Sequence, residues 1–213
     1  MNNMKLVAGI FVFGSLWGFS EVIIGPRLDD TGFPSGILMT GIFALFFLVI
    51  SRMIYKQPGM QLGIGFVAGT LRLFNPFGGC HVCSAIAIMA EGALFELIWY
   101  QIKDDKHLNT LTLQGSIGIA TAYCVYVGGY AITQVITPIS YGQFVIENLI
   151  TYLPQILASG LLVALIGCIT VPFTIAARKL PFKLKDPFYY PTTMGVSTLC
   201  WSFIIISWYV TIA

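Results

Sequence analysis

Residues 5–25 read KLVAGIFVFGSLWGFSEVIIG, a largely apolar run with the length of a membrane-spanning helix, about 20 residues. The run contains Trp17 and Glu21 and lacks a clear small-x-small cleavage site, so it predicts a retained first helix rather than a signal peptide. Similar runs recur along all 213 residues, of which 57% are hydrophobic and only 9% are charged. A soluble domain of this composition would leave too much apolar surface in water. The sequence therefore predicts an all-α integral membrane protein.

Apolar runs bounded by charges, proline or glycine predict seven helices, and these lie at residues 5–25, 35–54, 60–75, 84–101, 113–137, 155–178 and 191–212. They form one transmembrane helical domain over residues 1–213, a polytopic bundle of six to seven spans. The third helix is short for a span, at about 24 Å. Segment 142–153 is too short to cross a membrane. It either lies along the interface or extends the sixth helix up to Pro154.

The basic residues predict the orientation of the bundle. With a cytoplasmic N-terminus and seven crossings, only Arg27 and Arg72 lie on the outer side. Cytoplasmic loops of membrane proteins are rich in Lys and Arg. We therefore expect an integral plasma (inner) membrane protein with outer loops at 26–34, 76–83 and about 138–154. The basic residues expected inside are Lys5, Arg52, Lys56, Lys103, Lys106, Arg178, Lys179, Lys183 and Lys185.

A turn at residues 74–83, FNPFGGCHVC, leads directly into the fourth helix and carries Cys80, His81 and Cys83. On the predicted topology this turn is extracytoplasmic. A helix N-terminus favours thiolate, so the cysteine pair suits thiol–disulfide exchange. Structural zinc needs four ligands where only three are present, and covalent haem attachment needs Cys-x-x-Cys-His. The turn is also compatible with a structural disulfide, with inert thiols, or with a thiolate that ligates a metal carried by a small molecule.

Three charged residues are predicted at membrane depth near the outer end. Glu21 lies about four residues below the outer end of the first helix, and Arg72 lies at a similar depth on the third. Glu91 lies ~10 Å below the start of the fourth helix. Such residues are costly unless they are paired or face a cavity. They predict either a structural ion pair or an outward-facing cavity beneath the turn, whereas Glu96 is interpreted as a separate packing or partner contact.

Gly14 and Gly18 belong to a stripe of small residues on one face of the first helix. Small residues let a second helix approach closely, either inside the bundle or in a partner membrane protein. The stripe, the compact size and the almost wholly helical composition together resemble the S-components of energy-coupling-factor (ECF-type) vitamin transporters. Those proteins are substrate-binding membrane subunits that usually have six helices and present a pocket to the outside.

The solitary cobalamin-transporting branch of that family is marked by an outer-loop cysteine that ligates the corrinoid cobalt. The resemblance implies that Cys80 matches this ligand, and that Gly14 and Gly18 dock onto an energising membrane subunit that works with ATPases. It implies uptake of a micronutrient, above all cobalamin or another metal-bearing tetrapyrrole. The implied substrate-binding residues are Cys80, His81, Cys83, Glu21, Arg72 and Glu91.

On this interpretation the protein is a transporter rather than an enzyme, with no catalytic residue and no intrinsic cofactor. Cobalt enters only with the substrate and is ligated by Cys80. The expected partners are the small-molecule substrate, membrane lipid and the energising subunit, and no basic patch suits nucleic acid. Two rival functions remain open. One is a membrane thiol–disulfide oxidoreductase that uses Cys80 and Cys83, and the second is a structural subunit of a membrane complex.

Overall fold

The computed structural model describes residues 3–76, 81–100, 102, 108–140, 147–178 and 186–212. Within these residues the chain forms seven helices and no strands. Their bounds are α1 Asn3–Asp30, α2 Ser35–Tyr55, α3 Met60–Arg72, α4 His81–Trp99, α5 Leu111–Ser140, α6 Glu147–Ala177 and α7 Asp186–Ile212. All except α3 are long and apolar enough to cross a membrane. The predicted all-α membrane bundle is confirmed, and the helices follow the predicted order.

Three helix boundaries differ from the prediction by five residues or more, namely the end of α1, the start of α6 and the start of α7. The prediction of a loop at 26–34 is wrong for residues 26–30, because α1 continues to Asp30. A wide π-helical turn at Ser20–Ile24 precedes Pro26, and the backbone N–H of Gly25 bonds to the carbonyl of Ser20, five residues earlier. This turn replaces the regular hydrogen-bond ladder in which proline cannot take part. At the second boundary, α6 starts at Glu147, so its first turns extend the sixth helix, as one of the two predicted arrangements requires.

The short helix α3 runs through the bundle in the same direction as α1. An added Cβ at Gly14 would lie 2.6 Å from Val67 Cβ, and one at Gly18 would lie 2.9 Å from Leu71 Cβ. A residue later in α1 therefore contacts a residue later in α3, which means that the two helices run in parallel. Since α2 lies between them in the chain and returns in the opposite direction, α3 runs from the end of the bundle where α2 finishes toward the end where α1 finishes, although its 13 residues span only about 20 Å.

Glycines set the distance between the helices at two further contacts. An added Cβ at Gly92 of α4 would lie 2.9 Å from the Cα of Gly65 in α3. An added Cβ at Gly167 of α6 would lie 2.7 Å from the carbonyl oxygen of Gly118 in α5. No side chain fits between these backbones. The helix pairs α3–α4 and α5–α6 therefore depend on small residues, as membrane helix pairs commonly do.

The apolar core lies among α1 to α6, and α7 packs mainly against α1. Phe95 and Trp99 of α4 are stacked in this core with their ring centroids 5.1 Å apart. The indole Nε1 of Trp99 donates to Thr121 Oγ1 at 2.9 Å, which satisfies a buried polar group. Large apolar side chains are exposed along the outward faces of α5, α6 and α7. Such a surface suits contact with lipid rather than with water.

The two ends of the bundle differ in charge. At one end, named the pocket end after the cavity that opens there, α1 finishes with Asp30 and α2 and α4 begin. At the basic end, α2, α4 and α6 finish and α3 and α5 begin. Among the described basic residues, those at the basic end are Lys5, Arg52, Lys56 and Arg178, whereas those at the pocket end are Arg27 and Arg72.

Candidate functional site

A cavity of about 180 Å³ with charged side chains in its lining opens at the pocket end between α1, α2, α3, α4 and α5. The structure brings Glu21, Arg72 and Glu91 into its wall, although they come from three different helices. Asp29 also lines the cavity and is exposed, which places it at the mouth. The uncharged polar lining consists of Ser35, Thr40, Ser84, Tyr130 and Thr133.

Two wide π-helical turns shape the wall of the cavity. One, at Ser20–Ile24 in α1, carries Glu21, and the second, at Met39–Ala44 in α2, carries Thr40. The two turns contact each other. Such turns are rare and are found frequently at functional sites, because they shift side chains out of the regular helical register. Nothing in the residue pattern predicted the turn in α2.

Glu21 is held by a neighbour on its own helix. The Trp17 indole Nε1 donates to its Oε1 at 3.1 Å. Because α1 extends to Asp30, Glu21 lies nine residues before the helix end instead of the predicted four. That puts Glu21 about 14 Å below the end of the helix. The carboxylate is therefore deeper in the bundle than the sequence indicated.

Arg72 does reach Glu21, but it bonds to the backbone. Its Nη1 donates to the carbonyl oxygen of Glu21 at 2.7 Å, and its Nε donates to Ser84 Oγ at 3.3 Å. These bonds tie the C-terminal end of α3 to α1 and α4. The guanidinium therefore places its positive charge beside Glu21 without bonding to the carboxylate oxygens.

Glu91 is the most buried charged group of the cavity, with 5% of its surface exposed. Thr40 Oγ1 donates to its Oε1 at 3.2 Å. Its Oε2 is buried and has no hydrogen-bond partner in the described part of the chain. Gly129 makes room for this side chain, since an added Cβ there would lie 2.9 Å from Glu91 Cγ. The result is a buried carboxylate with an unused acceptor atom beside a cavity.

Of the cysteine turn, Cys80 lies outside the described residues. His81 and Cys83 lie in the first turn of α4, but neither lines the cavity. The first residue of α4 that lines it is Ser84. Cys83 is fully buried and disulfide-bonded. The described residues contain no group of three metal-ligating side chains placed to hold a metal ion. The remaining described cysteines are free and lie on separate helices, namely Cys124, Cys168 and Cys200.

Gly14, Gly18 and Glu96 all make contacts within the chain. The two glycines pack on α3, so the structure shows internal bundle packing for them. The carboxylate of Glu96 accepts hydrogen bonds from the backbone N–H groups of Gly59 and Leu62, the second at 3.0 Å. Glu96 therefore caps the start of α3, which makes its role a packing contact.

The sequence predictions missed six polar lining residues, namely Asp29, Ser35, Thr40, Ser84, Tyr130 and Thr133. Asp29 was assigned to a loop, although the wide turn before Pro26 lets α1 continue past it. Tyr130 lies in an apolar run, where nothing sets it apart from an interface tyrosine. No protein family, curated protein or solved structure matches this chain. For the described residues, the fold and the cavity define its class: a helical bundle of the membrane type with a charged pocket at one end.

Proposed function

We propose that this protein is a substrate-binding membrane transport protein and that its substrate occupies the pocket between α1 and α5. The observation that carries the proposal is Glu91, a buried carboxylate with an unused oxygen beside a cavity. Ionisable groups inside membrane bundles are costly and mark substrate or ion pathways. Small-molecule sites of helical bundles lie between helices, as this pocket does.

In the proposed orientation the protein lies in the plasma (inner) membrane with its basic end on the cytoplasmic side. It follows the excess of Lys and Arg at that end. The N-terminus and Lys5 are then cytoplasmic, and the pocket faces outside together with the Cys80–Cys83 turn. Uptake requires the bundle to reorient, driven by an energising membrane subunit and its ATPases. Because Gly14 and Gly18 pack on α3, docking through them requires α1 and α3 to separate.

The size of the pocket favours a small substrate over a tetrapyrrole. Its volume of about 180 Å³ is below the ~300–1,000 Å³ typical of sites for drug-sized ligands. Cobalamin is larger than such ligands, so its binding requires the helices to part. Ligation of its cobalt by Cys80 also requires a reduced thiol. Cobalamin is therefore the second substrate class for the same proposed function, with Cys80 as the metal ligand and His81 and Cys83 in support.

The disulfide of Cys83 favours a second candidate function, thiol–disulfide exchange. Cys83 lies in the first turn of α4, where the helix dipole favours thiolate. Against this candidate, the three free cysteines lie on different helices and offer no second pair to relay electrons. Mass spectrometry that finds Cys83 permanently reduced in an oxidising compartment removes this candidate.

Native mass spectrometry of the gently extracted protein tests the transport proposal. The matched variant is Ser35→Trp, because Ser35 begins α2 and lines the pocket. We expect the wild type to retain a small molecule and the variant to lose it, while the variant keeps the melting temperature of the ligand-free wild type. Wild-type protein that carries no molecule, or equal occupancy in the two proteins, contradicts the proposal. A retained corrinoid, seen by its mass and visible absorbance, instead supports a tetrapyrrole substrate.

A further inference from the structure

We infer that the pocket takes a small molecule with a positively charged ammonium group and that Glu91 is the counter-ion of that group. This inference rests on the proposed function, since it names the chemical class of the substrate. It goes beyond the presence of acidic residues, because the buried carboxylate of Glu91 has an oxygen, Oε2, without a hydrogen-bond partner among the described residues.

The first argument is that Glu91 lacks compensation inside the described chain. A carboxylate is rarely buried unless it is paired, because burial removes its hydration. Thr40 supplies one hydrogen bond, to Oε1. The second oxygen is left for a donor that enters the cavity. An ammonium group provides both a donor and the opposite charge.

The second argument is the charge balance of the pocket wall. Among the described residues of the wall, the carboxylates of Glu21, Asp29 and Glu91 stand against one guanidinium, that of Arg72. Arg72 is bonded to the backbone of Glu21 and to Ser84, so its charge is fixed at the α1 side of the wall. The lining is therefore acidic in sum, and a cation fits it better than an anion.

The third argument is the size and the uncharged lining of the cavity. About 180 Å³ is room for several water-sized groups, each of ~30 Å³, and so for an organic cation. The wall includes the ring of Tyr130 and the apolar side chains of Met39 and Ile88. Aromatic faces attract ammonium groups, and apolar side chains accept the carbon atoms attached to them. The wall thus suits an alkylated ammonium.

The test titrates the purified full-length protein with methylammonium, putrescine, 3,3-dimethylbutylammonium and dimethylbutanol (3,3-dimethyl-1-butanol), the neutral isostere of the third cation. Intrinsic tryptophan fluorescence reports binding, because Trp17 is hydrogen-bonded to Glu21 in the pocket wall. The key variant is Glu91→Gln, which keeps the shape and removes the charge. Asp30→Asn is the matched control, because Asp30 is an exposed carboxylate outside the pocket lining. Glu91→Asp keeps the charge and separates its effect from folding.

We expect a saturable response to at least one ammonium probe and a response at least ~10-fold weaker to dimethylbutanol, since electrostatic complementarity gives specificity. Glu91→Gln loses this response, whereas Glu91→Asp and Asp30→Asn keep it. Equal binding of the neutral isostere, unaltered binding in Glu91→Gln, or no response to any ammonium probe overturns the inference. A neutral or anionic molecule retained by the wild type and lost in Ser35→Trp overturns the inference but leaves the transport proposal standing.

Discussion

The carboxylates of Glu91 and Glu96 on α4 have different roles because they point toward different neighbours. Glu91 faces the cavity with one oxygen unused, whereas Glu96 bonds through both oxygens to the backbone of α3 and the residue before it. The first N–H groups of a helix have no partner within it. Glu96 supplies that partner from a neighbouring helix, where a serine or threonine would normally do so from the same chain segment. Glu96 therefore serves the stability of α3, and Glu91 serves the pocket.

Replacement of Glu96 by alanine is expected to lower the free energy of unfolding by ~1–2 kcal/mol, the usual cost of losing a helix cap. Glu96→Gln keeps one acceptor oxygen, so its effect is expected to be intermediate. Thermal denaturation of the three proteins in the same detergent measures the difference. A melting temperature of Glu96→Ala equal to that of the wild type would show that the contacts with Gly59 and Leu62 do not stabilise α3.

At the scale of whole helices, backbone contact through glycine sets the packing of α3 against α4. Gly65 and Gly92 face each other, and an added Cβ at Gly92 would lie 2.7 Å from the backbone oxygen of Gln61. A backbone atom cannot rotate out of the way as a side chain can. Arg72, at the end of α3, is positioned by the same packing, so the pocket wall depends on this contact.

Gly92→Ala is therefore expected to destabilise the protein by ~1–3 kcal/mol, the range for overpacked sites. Gly195 on α7 provides the matched control, because an added Cβ there meets nothing within 4 Å. Gly195→Ala is expected to be neutral, or stabilising by up to ~1 kcal/mol, through better helix propensity. Chemical or thermal denaturation ranks the two variants. The reverse order would mean that α3 and α4 are not in contact through their backbones.

At the scale of the whole molecule, the directions of the helices fix where the two ends of the bundle lie. α1, α3, α5 and α7 run toward the pocket end, and α2, α4 and α6 run back. With a cytoplasmic basic end, Asp30 is extracytoplasmic, whereas Asn109 in the link between α4 and α5 is cytoplasmic. Both residues are exposed.

A membrane-impermeant maleimide is expected to label Asp30→Cys in intact cells and to label Asn109→Cys only after the membrane is opened. The protein without either substitution is the control for the native cysteines. The opposite pattern would invert the proposed orientation and turn the pocket toward the cytoplasm. Labelling of both variants in intact cells would contradict the separation of the two residues by the bundle.

The sequence by itself determined the class of the protein and the order of its seven helices. Apolar length and flanking charge are local properties, and they can be measured along the chain without knowing what any helix touches. It also indicated that Glu21, Arg72 and Glu91 lie within the membrane-spanning part near the same end of the bundle. Depth follows from counting residues along helices at a fixed rise.

Only the tertiary structure decided what these groups contact. Hydrogen-bond partners depend on how each helix is rotated and shifted against neighbours that are distant in the chain. For that reason Arg72 meets the backbone of Glu21 instead of a carboxylate, and Glu96 meets the start of α3. The wide turns that carry Glu21 and Thr40 also change the directions in which the following side chains point. They depart from the regular helical repeat on which sequence periodicity relies.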